Sequence, residues 1–390
     1  MAAKSISILE PMAIAAQKTL APKDFGVAQG DWVVHCSRLQ GGLSDGVDIV
    51  DVSNGKLNFV IVPTRGMGLW KVNLPGWPVG WKSPVRGPVH PAFVDLGEPS
   101  GLGWLDGFDE LLVRCGLESN GAPEFDEETN RLKFPLHGRI ANKPAHSVSV
   151  SFNAEKEELS VQGVVEESRF NFFKLRMTST YTTRLGSTTI HVHDEIENLS
   201  ASPAEMQMLY HVNFGLPLLD AGASVAGPFK TVVPRNSHAA SGVKTWNNYQ
   251  AAEPGYEEQV YLTDLHSDRQ GRTRTLLKNA HGTQGVSLVY NTQQLPCFSL
   301  WKNTTSEADG CVTGLEPGTN YPNPRSHEGK QGRVVKLAGG GKTSFDLALE
   351  IHASAEEVQK AEKDVREITA GRKPTIHNEP QPGWCAGVKE

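Results

Sequence analysis

The sequence predicts an all-β fold, a large antiparallel β-sandwich with short terminal helices, and two observations carry that prediction. Long stretches of the middle alternate with period two, as in HSVSVSF (146–152), ELSVQGVV (158–165), KLRMTSTYTTRL (174–185) and STTIHVHDEIEN (187–198). Alternation puts apolar side chains on one face of an extended chain, and the Val, Ile, Thr, Phe and Tyr in these runs favour strands. The second observation is punctuation: 39 glycines and 24 prolines fall mostly between the runs, where they supply tight turns between antiparallel neighbours. Many such strands can bury one face only against a second sheet, hence a sandwich.

In chain order, residues 1–25 form an N-terminal extension whose apolar spacing over residues 5–18 predicts a helix. Residues 26–352 are the sandwich domain. Within it, residues 66–125 are dense in Trp, Gly and Pro, the texture of long loops that carry binding sites over a rigid scaffold. The segment KTSFDLALEIHA predicts the last core strand at residues 343–352. The charged segment SAEEVQKAEKDVREITAG (354–371) then predicts a helix, capped by Ser354 and stopped at Gly371. Residues 353–390 are thus an appended helix and a loose Pro-rich tail. No fixed-period repeat is present.

Bulk properties exclude several classes. The 38 Lys+Arg against 44 Asp+Glu, a net charge of -6, leave no basic footprint for nucleic acid. Five widely spaced cysteines without a C-x-x-C argue against a disulfide framework and a zinc knuckle, and a reducing cytoplasm is the expected home. Glu10 and Pro11 interrupt any apolar signal core, and no run approaches the roughly 20 apolar residues of a membrane span. No Gly-rich dinucleotide turn and no P-loop appears, so neither nucleotide nor other cofactor is expected.

Polar residues concentrate in five apolar or Gly-rich stretches: VPTRGM (62–67), GFDELLVRCGLESNG (107–121), FPLHGRIANKPAH (134–146), MLYHVNFG (208–215) and CVTGLEPGTNYPNPR (311–325). His211 lies in an apolar run, where an imidazole needs a hydrogen-bond partner or a function because burying it unpaired is costly. His137 stands beside Gly138, at a turn with close backbone approach. Glu316 ends a strand before Pro-Gly, a position open to a solvated residue or to a catalytic one. A separate constellation is His191, His193 and Glu197, in phase on one strand; this H-x-H-x-x-x-E spacing matches half of a cupin metal site, although the later histidine motif of a cupin is missing.

Taken together and in order, GFDELLVRCGLESNG, LHGRIAN, YHVNFG and GLEPGTNYP resemble the aldose 1-epimerase (galactose mutarotase) superfamily, in its mutarotase-like branch of DUF4432 type, over roughly residues 30–350. The resemblance implies a galactose mutarotase-like β-supersandwich with two histidines and a glutamate in one cleft. By motif these are His137, His211 and Glu316, and L-H-G-R-I-A-N compresses two runs that ordinary mutarotases keep apart. Sugar anomers interconvert when a base takes the C1 hydroxyl proton while an acid protonates the ring oxygen, each positioned group contributing on the order of 10² to 10⁴ in rate. The expected roles are Glu316 as base, His211 as acid and His137 as sugar-holding or proton-sharing group, with no metal.

Arg65, Asp109, Arg139, Trp301 and Lys302 are then candidate sugar-binding groups, and residues 320–325 a candidate rim. Four of them have a structural alternative: an ion pair for Arg65 and for Arg139 (with Glu110), helix capping for Asp109, a core position for Trp301. Arg65, Arg139, Lys302 and Arg325 could also converge on a phosphosugar. The expected partner is a small sugar or sugar derivative. Other readings are a carbohydrate-binding protein without catalysis and another isomerase or lyase reaction using the same acid and base.

Overall fold

The computed structural model describes residues 3–10, 17–28 and 30–388. Two large sheets pack face to face. Among the described residues one has nine strands, centred on Lys174–Arg184, Thr189–Asn198 and Lys342–His352; the other has fourteen, with Leu112–Leu117, Ala204–Phe214, Val312–Gly318 and Cys297–Asn303 adjacent at its middle. Pairing is antiparallel throughout the centre of both sheets.

The alternation in the sequence becomes burial. In Lys174–Arg184, Leu175, Met177 and Tyr181 are buried while their neighbours are partly exposed, and a single core cluster joins these side chains to Met208, Tyr210 and Leu315 of the opposite sheet. The core also encloses an ion pair. Arg114 of the fourteen-stranded sheet donates to Asp194 of the nine-stranded sheet at 2.6 and 2.9 Å. Its remaining donors reach Met67 O, Tyr181 Oη and Ser179 Oγ, and Tyr210 donates to Asp194 at 2.7 Å. All five guanidinium N–H groups are used, the condition under which a fully buried charge is tolerable.

Both ends of the chain differ from expectation. The helix expected over residues 5–18 is absent where the chain is described: Lys4–Leu9 is a strand pairing with Ala145–Asn153, and Lys18–Leu20 a strand pairing with Val33–Arg38. Residues 11–16 of that expectation lie outside the described residues. The C-terminal helix forms at Ala355–Thr369 with Ser354 capping it through Glu357 N, and its Val358, Ala361 and Val365 pack on Leu276. The tail is not loose. Thr375–Ile376 pairs with Phe229–Pro234, Trp384 stacks on Tyr321 at 5.0 Å, and Cys385 is buried. Among the described residues no helix is long and apolar enough to cross a membrane.

Candidate active site

Period two decides where the site sits. In Ala204–Phe214, Tyr210 points between the sheets toward Asp194, so the next residue, His211, emerges on the outer face of the fourteen-stranded sheet. On the neighbouring Val312–Gly318, Leu315 joins the core and Glu316 emerges on that same outer face. His211 Nε2 and Glu316 Oε1 are 3.2 Å apart, with both side chains almost fully buried. Room for the pair comes from Gly314: a Cβ there would lie 2.5 Å from Glu316 Oε1 and 3.1 Å from His211 Cε1.

His137 arrives from a loop. Its backbone is left-handed, with φ of 56°, and Gly138 follows at 74°. A Cβ on Gly138 would collide with the carbonyl oxygens of Ser119 and Gly116, at 2.0 and 2.4 Å, so only glycine fits after this histidine. The His137 ring lies 5.4 Å from that of His211, nearly perpendicular to it. Its Nδ1 is 3.0 Å from Asn120 O; a carbonyl only accepts, so Nδ1 carries the proton and Nε2 keeps its lone pair.

The three residues line a cavity of about 480 Å³ with Trp81, Trp104, Phe108 and Trp301 among its walls. Trp301 stands 5.3 Å and Phe108 5.2 Å from the His211 ring, and the buried Trp104 Nε1 has no protein partner. At the mouth, Arg235 and Trp301 both donate to Glu258, each at 2.6 Å.

This apolar enclosure sets the protonation states. Burial pushes Glu316 up to about 8. Burial, with the proximity of His137, pushes His211 down to about 3, and burial takes His137 down to about 4. Neutral imidazoles and a protonated carboxyl are therefore the resting forms near neutrality.

Of the expected binding residues only Trp301 lines the cavity. Arg65 does not reach it: the side chain is buried and donates to Glu110, Val89 O, Asn142 Oδ1 and Gly107 O. It is a structural support, since Glu110 O in turn accepts from Asn213 Nδ2 and Trp81 Nε1. Asp109 turns away from the cleft, accepts from Trp70 Nε1 and is pushed up to about 7 by burial and by Glu110. Arg139 lies outside the cavity near Glu118, and Glu110 pairs with Arg65 instead. Lys302 points to the side opposite Trp301, where its ammonium donates to Thr245 O and Asn248 O. Arg325 donates to Glu118 O and Glu205. The four cations do not converge, and of the expected rim only Pro322 lines the cavity.

His191 and His193 lie exposed on the outer face of the nine-stranded sheet, His193 against Asp346 and Glu197 against Arg176 and Lys342. Among the described residues no group of three or more His, Cys, Asp or Glu is gathered as a metal site. Trp81, Trp104 and Phe108 come from the aromatic loops whose texture suggests binding. Asn213 lies inside the run YHVNFG but is not singled out by its spacing, and Arg235 and Glu258 have no local signal in the sequence.

The double sheet is that of a galactose mutarotase-like β-sandwich protein. Residues 44–351 match the family described as a domain of unknown function, DUF4432, and the chain belongs to that family. A Klebsiella pneumoniae structure described as a putative aldose 1-epimerase is 32% identical, with 100% of each chain covered and a TM-score of 0.93. A Clostridium acetobutylicum galactose mutarotase-like protein is 14% identical over 83% of this chain and 99% of its own, with a TM-score of 0.57. An Escherichia coli K12 protein described as a putative aldose 1-epimerase is 13% identical over 79% and 100%, with a TM-score of 0.52; these two share the fold. Comparison with curated proteins gives no match.

Proposed function

We propose that the protein is a carbohydrate-active isomerase that interconverts the anomers of a sugar by acid/base ring opening. The observation that carries this reading is the His211–Glu316 pair, 3.2 Å apart and buried at the floor of an aromatic-walled cavity, with His137 Nε2 free beside it. Between them His211 and Glu316 hold one proton, so one is an acid when the other is a base. Once the shared proton has passed from Glu316 to His211 Nε2, Glu316 takes the O1 proton, the C1–O5 bond breaks, and O5 takes the Nε2 proton from His211, giving the open-chain aldehyde. Rotation about C1–C2 and the reverse transfers close the ring on the other face. No net proton enters or leaves, and no oxidant or metal is required.

The aromatic walls suit the C–H faces of a sugar ring, Trp104 Nε1 is an unused donor, and the Arg235–Glu258 pair offers polar groups at the mouth. Five free thiols fit a reducing cytoplasm. The test is saturation-transfer NMR over a panel of aldoses and derivatives. Accelerated anomer exchange of one sugar, abolished in a folded Glu316→Gln variant, is the expected result. Undiminished exchange in that variant overturns the assignment, and binding without exchange selects a non-catalytic carbohydrate-binding protein.

A further inference from the structure

Asn213 lies two residues beyond His211 on the same strand, on the same outer face, and its amide orientation is fixed by its surroundings. Nδ2 donates to two carbonyls, Glu110 O at 3.0 Å and His211 O at 3.2 Å; the flipped amide would set oxygen against oxygen. Oδ1 therefore faces His211 Nδ1, at 2.6 Å, and an amide oxygen can only accept. The Nδ1 proton is thus specified by Asn213, and the neutral ring presents a bare Nε2 to Glu316 Oε1 at 3.2 Å. A lone pair and a carboxylate oxygen at that distance in an apolar cavity need one proton between them.

We propose that Asn213 is a positioning residue that locks His211 in the Nδ1–H tautomer and thereby makes His211–Glu316 a one-proton unit whose proton rests on Glu316. The inference rests on the anomerase reading for its purpose, though not for its geometry. A carboxylate at position 213 would hold the imidazolium; a neutral amide orients the ring without charging it. The reactive ion pair then forms by moving the proton across the 3.2 Å gap, without exchange with water. Every group facing the dyad is compatible with this. His137 is neutral, with burial pushing it down to about 4. The Cys115 thiol is pushed well up by burial and the nearby carboxylates. Glu258 is paired with Arg235, and Glu110, behind Asn213, with Arg65. Burial drives the dyad the same way, Glu316 up to about 8 and His211 down to about 3.

The experiment is imidazole ¹H–¹⁵N NMR on histidine-labelled protein at pH 7, with His211 assigned by its loss in His211→Gln. Wild type is expected to show His211 neutral and protonated at Nδ1. Folded Asn213→Ala is expected to populate the Nε2–H tautomer beside the Nδ1–H one, since only the Glu316 contact at Nε2 then favours Nδ1–H, with kcat falling by up to about 10²-fold and KM held, the size of one mis-set proton-transfer group. Asn213→Asp is expected to show the imidazolium. An Nε2–H or doubly protonated His211 in wild type, or an unchanged tautomer in folded Asn213→Ala, overturns the proposal. The wild-type spectrum decides even where a variant does not fold. If no sugar exchanges while the tautomers are as stated, the anomerase reading fails and the positioning role of Asn213 stands.

Discussion

Replacing Glu316 by Gln should make the protein more stable at alkaline pH while abolishing the proposed anomer exchange. An acid raised from 4.5 to about 8 by burial is neutral in the folded chain where it is already ionised in the unfolded one. Its stabilising contribution is complete below 4.5, the unfolded value, and is lost as pH rises from there through the folded value near 8. Each unit of that window is about 1.4 kcal/mol, so between pH 5 and 8 Glu316 removes on the order of 3 kcal/mol. Glutamine reproduces the protonated form, since its amide N–H can donate to His211 Nε2 as the carboxyl O–H does, and it cannot ionise. The assay is urea unfolding followed by far-UV circular dichroism at pH 5, 6.5 and 8. Groups common to both proteins cancel in the difference between variant and wild type. The difference is expected to shift toward the Glu316→Gln variant by about 3 kcal/mol between pH 5 and pH 8. A difference that does not change with pH would refute the reasoning, because Glu316 would then be ionised in the folded state.

The same proton sets the rate profile: kcat should be level from about 5 to 8 and fall above about 8, where the dyad loses its only proton; a fall beginning near 6 would contradict this. Gly314→Ala puts a methyl 2.5 Å from Glu316 Oε1 and should cut kcat by about 10²-fold with the fold intact by circular dichroism. Arg114→Met leaves Asp194 buried without its cation and should cost about 3 to 5 kcal/mol in urea unfolding. The double variant Arg114→Met/Asp194→Leu should recover most of that loss, since no uncompensated charge remains.

What is legible in the sequence follows from what is local. The sandwich is legible because period two is a property of each run by itself, and the candidate triad His137, His211 and Glu316, which the structure gathers at one cavity, because each member sits in a distinctive run. The same period separates two candidate binding residues: Trp301 and Lys302 are consecutive in a strand, so they cannot both face one cavity, and the structure gives it to Trp301. Arg65 shows the opposite limit. Nothing near it in the chain reveals that Gly107 O, Val89 O and Asn142 converge on its guanidinium from three other segments. Arg235 and Glu258 are likewise joined only by the pairing of Phe229–Pro234 with Gln259–Leu265. At the N-terminus, KSISIL alternates as a strand does, but apolar spacing across residues 5–18 masks it; the open edge beside Ala145–Asn153 decides the outcome.

The energetics bear on whether the cavity binds or also reacts. A site that only held a sugar would need donors and acceptors for hydroxyls, and Asn or Gln at positions 211 and 316 would supply them without titrating. Instead the chain keeps an imidazole and a carboxyl buried beyond the point where either ionises easily, a loss on the order of 3 kcal/mol at pH 8 from Glu316 alone. It also commits Gly314 to the space between them, Asn213 to one ring nitrogen, and the Arg65–Glu110 pair to holding Asn213. Each of these acts on where a proton sits, and none improves a hydrogen bond to a hydroxyl. That cost is intelligible if protons move at the site, which favours the catalytic reading over the binding one. The pH-dependent difference between wild type and the Glu316→Gln variant therefore measures how much folding stability the chain gives up to keep a movable proton in the cavity.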